Sequence, residues 1–172
     1  MADAKKLITF ILKWEGGFAN HPNDKGGATN KGITIATFRQ YMGQDATVAQ
    51  LKAMTNEQWE TIFKKGFWFP FKGDYITNQS IANICVDWAW GSGTRTAIKQ
   101  VQRLLGVADD GIVGNITLSA INNANSKKLF EKIKSARLAF VEAIVRRDPT
   151  QKVFLKGWRN RINSISYNAC ES

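Results

Sequence analysis

The sequence predicts a mainly α-helical fold with at most a small β element beside a glycine-rich loop. Apolar side chains recur every three or four residues along most of the chain, as they do on one face of a helix. Alternating strand patterns are scarce, and only residues 32–35 form a candidate strand. The chain has 172 residues, of which 44% are hydrophobic, so it can bury a core and is predicted to form one compact domain, 1–172.

The first predicted helix contains Leu7, Ile8, Ile11 and Leu12 at helical spacing and ends just before Gly16 and Gly17. Glu15 follows Ile11 by four positions and therefore lies on the apolar face of this helix. Glycine takes left-handed backbone angles without steric cost, so Gly16 and Gly17 are expected to end the helix there and leave Glu15 uncovered. Apolar surroundings disfavour the charged form of a carboxyl group, and a neutral carboxylic acid can donate a proton. Glu15 is therefore a candidate general acid.

A loop rich in glycine, asparagine and aspartate is predicted from residue 19 to residue 32. Asp24 lies within it and is the second candidate carboxylate, because its polar neighbours Asn23 and Lys25 favour the ionised form. One neutral and one ionised carboxyl group are the pair that glycosidases use. Asp24 also fits a turn in which an aspartate side chain binds its own backbone. The sequence leaves both roles open.

The remainder of the chain is predicted to form helices joined by short turns. Thr55 and Gln58 are spaced as a capping box, which opens a helix that Gly66 and Pro70 are expected to close. Asp87 lies inside an apolar segment, where it is predicted to cap or bridge neighbouring backbone rather than to do chemistry. Further helices are predicted at residues 79–90, 94–105, 115–122 and 127–147.

Three segments resemble those of glycoside hydrolase family 108 muramidases. The first is EGGFANHPNDKGGATNKGIT, which begins at Glu15 and is similar to the family's Glu-Gly-Gly, its loop, its Gly-Gly-x-Thr and its Gly-Ile. Residues 86–93 are similar to the family's Asp-x-Ala-x-x-Ser-Gly. Residues 110–118 resemble the Asp-Gly-x-x-Gly-x-x-Thr-Leu of peptidoglycan-binding segments, although a tight turn followed by a helix explains that pattern as well.

This resemblance implies a lysozyme-like helical fold, with a catalytic part at 1–93 and a helical peptidoglycan-binding-like part at 94–172 packed on it. It also implies an N-acetylmuramidase that cleaves the β-1,4 bond between N-acetylmuramic acid and N-acetylglucosamine, with Glu15 as the essential acid. A weaker resemblance is to phage-type lysozymes, in which an Asp follows the Glu by nine positions, as Asp24 does, and a Thr follows six later. Position 30 is Asn here, so Thr29 and Thr34 are the candidates for holding a water molecule, the substrate or the loop.

Aromatic residues are abundant, with six tryptophans, three tyrosines and ten phenylalanines. Tyr75, Trp88 and Trp90 are candidates for stacking on the sugar rings of a glycan strand. Each of these rings also suits a hydrophobic core, since large rings supply much of the area that a core buries. The sequence alone does not separate these two roles.

Charge indicates the class of partner. The formal net charge is +10, and residues 115–172 contain eleven Lys or Arg against four Asp or Glu. A positive field would concentrate the protein on polyanionic peptidoglycan. Nucleic acid would attract the same charge, but no recognition motif accompanies it, so a nucleic-acid partner is not expected. His21 is the only histidine and Cys85 and Cys170 are the only cysteines, so no metal or organic cofactor is expected.

The basic start and the apolar residues 7–12 superficially resemble a secretory signal, but Lys13 interrupts the stretch and no cleavage site follows. No run approaches the roughly 20 apolar residues of a membrane span. The expectation is a monomer made in the bacterial cytoplasm that reaches the wall through a holin-type pore or by lysis. Two alternatives stay open: a non-catalytic wall-binding or secretion-assisting module, and a hydrolase of chitin or chitosan.

Overall fold

The computed structural model describes residues 1–21 and 26–168, and within these it contains nine α-helices and one two-stranded antiparallel sheet. The predicted fold class, mainly α-helical with a small β element beside the glycine-rich loop, is confirmed. The chain divides into two compact units. The N-terminal unit is Lys5–Gly66, and the C-terminal unit is Phe67–Ser172 together with Met1–Ala4.

The N-terminal unit contains most of the first helix, the sheet and three further helices. These are α1 (Ala4–Trp14), β1 (Thr29–Asn30), β2 (Ile33–Thr34), α2 (Ile35–Met42), α3 (Val48–Lys52) and α4 (Asn56–Phe63). The apolar stripe predicted for α1 is real, since Leu7, Ile8 and Ile11 are buried. Leu12 is the exception, because 38% of it is exposed.

Two capping boxes begin neighbouring helices of this unit. The predicted one is confirmed: the Thr55 hydroxyl accepts from the Gln58 amide at 3.1 Å, and the Gln58 side chain accepts from the Thr55 amide at 3.0 Å. Thr47 and Gln50 form the same motif at the start of α3, which the sequence analysis does not predict. Each box satisfies two backbone donors that the first turn of a helix leaves unpaired.

The end of α4 differs from the prediction. Gly66 does not close the helix, because the chain continues from Phe63 into a π-helical turn at Lys64–Trp68 that includes Gly66. A Cβ atom at Gly66 would lie only 2.8 Å from the Tyr41 hydroxyl. The glycine is therefore needed for a close approach to a side chain of α2 and not as a terminator.

The C-terminal unit is a helical assembly in which α5 packs on α6 and α8, and α8 packs on α9. The four helices predicted here are confirmed to within two residues at each end. The sequence pattern does not predict α9, because its apolar spacing is obscured by Lys152, Lys156, Gly157 and Arg159. The bounds are α5 (Gln79–Ser92), α6 (Thr94–Leu105), α7 (Asn115–Asn123), α8 (Ser126–Arg147) and α9 (Lys152–Ser164), with 3-10 turns at Gly73–Tyr75 and Pro149–Gln151.

Asp87 holds α5, α8 and α9 together through side chains. It is fully buried, and its carboxylate accepts from Arg137 Nη2 at 3.0 Å and from Arg161 Nη2 at 2.8 Å. The prediction that Asp87 bridges neighbouring backbone is therefore wrong. The apolar segment around it gave no sign of two cations that lie 50 and 74 residues further along the chain.

The motif at residues 110–118 is built around a buried glutamine of α6. Gln102 Nε2 donates to Asp110 Oδ1 and to the Ile112 carbonyl, both at 2.9 Å, while its Oε1 accepts from the Gly111 amide at 2.9 Å. The Ile112 amide and the Gln102 side chain hold the pKa of the Asp110 carboxyl below its usual range. Asp110 and Gly111 therefore have a structural role in a turn, as the alternative interpretation of this motif predicts.

Across the described ranges, no helix combines the length and the apolar character that crossing a membrane requires.

Candidate active site

Glu15 lies immediately after α1, where its amide donates to the Ile11 carbonyl at 3.1 Å and so extends the helical hydrogen-bond pattern. Its side chain is half-buried. The backbone of the candidate acid is thus fixed to the end of a helix that is anchored by buried Leu7 and Ile11. A functional group on a rigid element keeps its direction better than one on a free loop.

Gly16 and Gly17 follow with extended or right-handed backbone, because neither belongs to the glycines with positive φ. The helix ends where predicted, just before the two glycines, but the expected left-handed conformation of Gly16 and Gly17 is wrong. Both are exposed, and a Cβ atom on either would meet no described atom within 4 Å. Their effect at this site is that they add no side chain of their own beside Glu15.

The chain after Gly17 is tied to the small sheet. The Ala19 amide donates to the Thr29 carbonyl at 2.9 Å, and the Thr29 amide donates to the Ala19 carbonyl at 2.8 Å. Between Glu15 and this bridge, the Phe18 ring lies 5.5 Å from the Lys52 ammonium group. Ala19 follows Glu15 by four residues, so its bridge to Thr29 links the backbone of Thr29 to the chain that follows Glu15. Thr29 is a predicted substrate-binding residue, and its side chain is half-buried.

The turn between β1 and β2 has a type I′ conformation. Asn30 pairs with Ile33, and the two residues between them, Lys31 and Gly32, have φ angles of 48° and 82°. A glycine at the second position makes this mirror-image turn accessible. The Asn30 side chain donates to the Leu51 carbonyl at 2.9 Å and so caps the end of α3.

A cavity of about 140 Å³ lies beside this turn, lined by Leu12, Asn56, Trp59 and Glu60. Trp59 Nε1 donates to the Lys31 carbonyl at 2.9 Å, and Lys31 Nζ donates to Asn56 Oδ1 at 3.2 Å. Two of the cavity residues therefore hold the tip of the hairpin. Leu12 precedes Glu15 by three positions, so the two residues lie on the same side of the helix. The cavity that Leu12 lines is therefore on the side of α1 that carries Glu15.

Glu60 is a carboxylate that the sequence analysis misses. In residues 5–21 and 26–66 the acidic side chains are Glu15, Asp45, Glu57 and Glu60, and of these only Glu15 and Glu60 are half-buried. The sequence feature that could have indicated Glu60 is its position directly after Trp59 in a predicted helix. Asp24, the predicted partner of Glu15, lies outside the described residues.

Thr34, a second predicted substrate-binding residue, is the N-cap of α2. Its hydroxyl accepts from the Thr37 amide at 3.2 Å and lies 3.1 Å from the Thr37 hydroxyl. Its backbone pairs with Thr29 in the sheet. The structure therefore brings the two candidate threonines together. It also gives Thr34 a capping role, which its residue type favours at the start of a helix.

The three predicted stacking residues belong to the C-terminal unit and differ in exposure. Tyr75 is 60% exposed, and Trp90 is half-buried with its ring 4.8 Å from that of Phe67 in an edge-on arrangement. Trp88 is 1% exposed and packs edge-on against Phe140 at 5.7 Å. A ring so deeply buried offers no face to a sugar, so Trp88 is corrected to a core residue.

No cluster of three or more His, Cys, Asp or Glu side chains suited to a metal ion occurs within 1–21 and 26–168.

The chain is similar to known proteins in its sequence and in its fold. Residues 8–93 match the family model described as glycosyl hydrolase 108, and residues 96–163 match the model described as predicted peptidoglycan domain. The chain is similar to the solved structure of SagA from Brucella abortus, with a TM-score of 0.77 and 29% identity over 96% of this chain and 97% of that one. A search of curated proteins gave no match. The chain therefore belongs to the glycosyl hydrolase 108 family and is a peptidoglycan-related glycoside hydrolase.

Proposed function

We propose that the protein is an N-acetylmuramidase that cleaves the β-1,4 bond between N-acetylmuramic acid and N-acetylglucosamine. The single observation that supports it most is the half-buried Glu15, held at the end of α1 and followed by two glycines that add no side chains beside it. The match of residues 96–163 to a peptidoglycan domain favours peptidoglycan over chitin or chitosan as the glycan.

In the proposed reaction Glu15 acts as general acid. It donates its proton to the glycosidic oxygen as the bond to the anomeric carbon breaks, so the leaving sugar departs as an alcohol and not as an alkoxide. Positive charge then develops on the anomeric carbon and the ring oxygen of the other sugar. A second carboxylate stabilises this oxocarbenium-like centre directly or activates the water that attacks it.

Asp24 is our first candidate for the second carboxylate, since it follows Glu15 by nine positions in the sequence. Glu60 is the alternative, because it is half-buried and lines the cavity beside the hairpin tip with Leu12 and Trp59. The two are separated by comparing Asp24→Asn with Glu60→Gln in the same turnover assay. The variant that loses about a hundred-fold or more in kcat identifies the partner.

The central test is Glu15→Gln, which keeps the size of the side chain and removes its proton. We expect wall lysis to fall by at least about a hundred-fold, while the melting temperature and sedimentation with cell walls stay unchanged. Glu57→Gln is the matched control, because Glu57 is an exposed glutamate in the first turn of α4. Retained lysis in Glu15→Gln would refute the general-acid role.

Bond specificity is tested on the products. Digested peptidoglycan is reduced with borohydride and examined by mass spectrometry, and a muramidase gives muropeptides whose reduced end is muramicitol. Reduced glucosamine ends would instead indicate the other glycosidic bond. Equal rates on chitin would favour the broader hydrolase, and wall sedimentation without new reducing ends would favour the non-catalytic module.

A further inference from the structure

A second cavity lies within the C-terminal unit, beside the buried Asp87 cluster. It has a volume of about 190 Å³. Its polar lining comes from Ser92, Arg137 and Arg161, and its apolar lining includes Val141, Ile144 and Trp158. The muramidase reaction proposed above uses none of these side chains.

The cluster at this cavity carries more positive than negative charge. Arg137 and Arg161 are two cations, and they share the single Asp87 carboxylate at 3.0 and 2.8 Å. No acidic side chain lines the cavity in the described part of the chain. Glu142 of α8 bonds Arg159 at 2.7 Å, in an exposed pair outside the lining. The cluster is therefore left with one net positive charge, which is costly to bury without a counter-charge.

Arg137 also has unused hydrogen-bonding capacity. Its side chain is only 6% exposed, with Nη1 donating to the Ile84 carbonyl at 3.2 Å and Nη2 donating to Asp87. Its Nε has no hydrogen-bond partner among residues 1–21 and 26–168. Burial lowers the pKa of Arg137, and the charge of Asp87 opposes this shift. A buried donor without a partner destabilises a protein unless an acceptor reaches it.

We propose that this cavity binds the carboxylate of a small apolar residue, such as the C-terminal alanine of a peptide. A guanidinium group recognises a carboxylate through paired hydrogen bonds, and one negative charge would neutralise the cluster. Val141, Ile144 and Trp158 offer an apolar wall for the methyl group. The cavity has room for a short residue but not for a glycan strand. We take this carboxylate to come from the free end of a stem peptide of the cell wall, and this assignment rests on the proposed function.

Isothermal titration calorimetry on full-length Glu15→Gln tests this proposal. The probes are acetyl-D-alanyl-D-alanine, the same dipeptide with a C-terminal amide, acetyl-L-alanyl-L-alanine and inorganic phosphate. We expect the D-dipeptide acid to bind at least about ten-fold more tightly than its amide and than phosphate. The L-dipeptide acid distinguishes a wall peptide from peptide ends in general. Equal binding of acid and amide, tighter binding of phosphate, or no binding of either acid would overturn the proposal.

A cavity-filling variant locates the site. Val141→Phe places a larger ring among the apolar lining residues, and we expect it to weaken binding of the dipeptide acid by at least about ten-fold. Val153→Phe makes the same change at an exposed position of α9 outside the lining and should bind normally. If Val141→Phe unfolds the unit, Ser92→Val provides the same comparison with loss of a polar lining group. Normal binding in the folded cavity variant would place the peptide elsewhere.

Failure of this proposal can be distinguished from failure of the proposed function. Dipeptide binding involves no sugar and is measured on a variant without the Glu15 acid, so failure of the muramidase proposal leaves it unchanged. Loss of dipeptide binding in Val141→Phe with normal cleavage of peptide-free glycan strands would show that the cavity serves recognition and not bond cleavage.

Discussion

Trp59 Nε1 donates a hydrogen bond of 2.9 Å to the carbonyl oxygen of Lys31 at the tip of the β hairpin. The indole is 1% exposed, and its ring stacks on Phe63 at 5.4 Å. This hydrogen bond therefore connects the tip of the hairpin to a buried residue of α4. Because β1 is in turn bridged to Ala19, this bond contributes to the position of the chain that follows Glu15.

Trp59→Phe should destabilise the N-terminal unit while keeping an aromatic ring in the core. The lost hydrogen bond and the smaller ring together should reduce the free energy of unfolding by about 2 kcal/mol. Urea denaturation measures the change. Trp14→Phe is the control, because Trp14 is 41% exposed and its substitution should change stability by less than about 0.5 kcal/mol. Equal effects of the two variants would show that the Lys31 bond contributes nothing.

Asp87→Asn should be the more damaging of two charge-removing changes. It keeps the shape of the side chain but leaves the buried Arg137 and the half-buried Arg161 without a counter-charge, which should cost about 3–5 kcal/mol in the free energy of unfolding. Glu142→Gln breaks the exposed pair with Arg159, where both side chains are more than 40% exposed, and should cost less than about 1 kcal/mol. Chemical denaturation at neutral pH compares them. A near-normal stability of Asp87→Asn would contradict the role of Asp87 as the charge that binds three helices.

Local patterns were sufficient to predict much of the fold. The stripe of α1, the Thr55 capping box and the four helices from α5 to α8 depend on residues three or four apart, which the sequence displays directly. Three helices, α2, α3 and α9, escaped prediction for physical reasons. The short α2 buries only Phe38 and begins at the end of the segment predicted as a strand. The short α3 buries only Leu51, and α9 carries four cations and an internal Gly157 among few buried residues.

The candidate site was harder to predict because its geometry depends on long-range bonds. Glu15 is recognisable from the motif in which it lies, and its place at a helix end follows from the spacing of α1. Glu60 lies next to Trp59, whose bond to Lys31 at the hairpin tip spans 28 residues. The burial of Trp88 involves packing on Phe140, which is even more remote in sequence. Composition cannot distinguish such a core ring from an exposed one.

Cys85 should make the folded state sensitive to alkaline pH. Burial raises the pKa of its thiol from about 9 to about 12, with the charge of Arg137 opposing the shift. Between these values the native state holds the proton while the unfolded chain releases it, so stability is fully present below pH 9 and is lost as pH rises toward 12. Cys85→Ala should therefore show a shallower decline in the free energy of unfolding between pH 9 and 11, measured by urea denaturation with both proteins in a Cys170→Ser background. Parallel declines would show that the thiol does not titrate as expected.

Thr34→Ala distinguishes a capping role from contact with the substrate. The Thr34 hydroxyl accepts from the Thr37 amide at the start of α2, so its loss should reduce the free energy of unfolding by about 1 kcal/mol, and Thr34→Ser should restore it. Because the hydroxyl is engaged in the cap, we expect KM for soluble peptidoglycan fragments to stay within about two-fold of normal at a temperature where both variants are folded. A rise of about ten-fold in KM for Thr34→Ala, with Thr34→Ser normal, would instead assign the hydroxyl to substrate binding, since loss of ground-state contacts raises KM in a protein that is still folded.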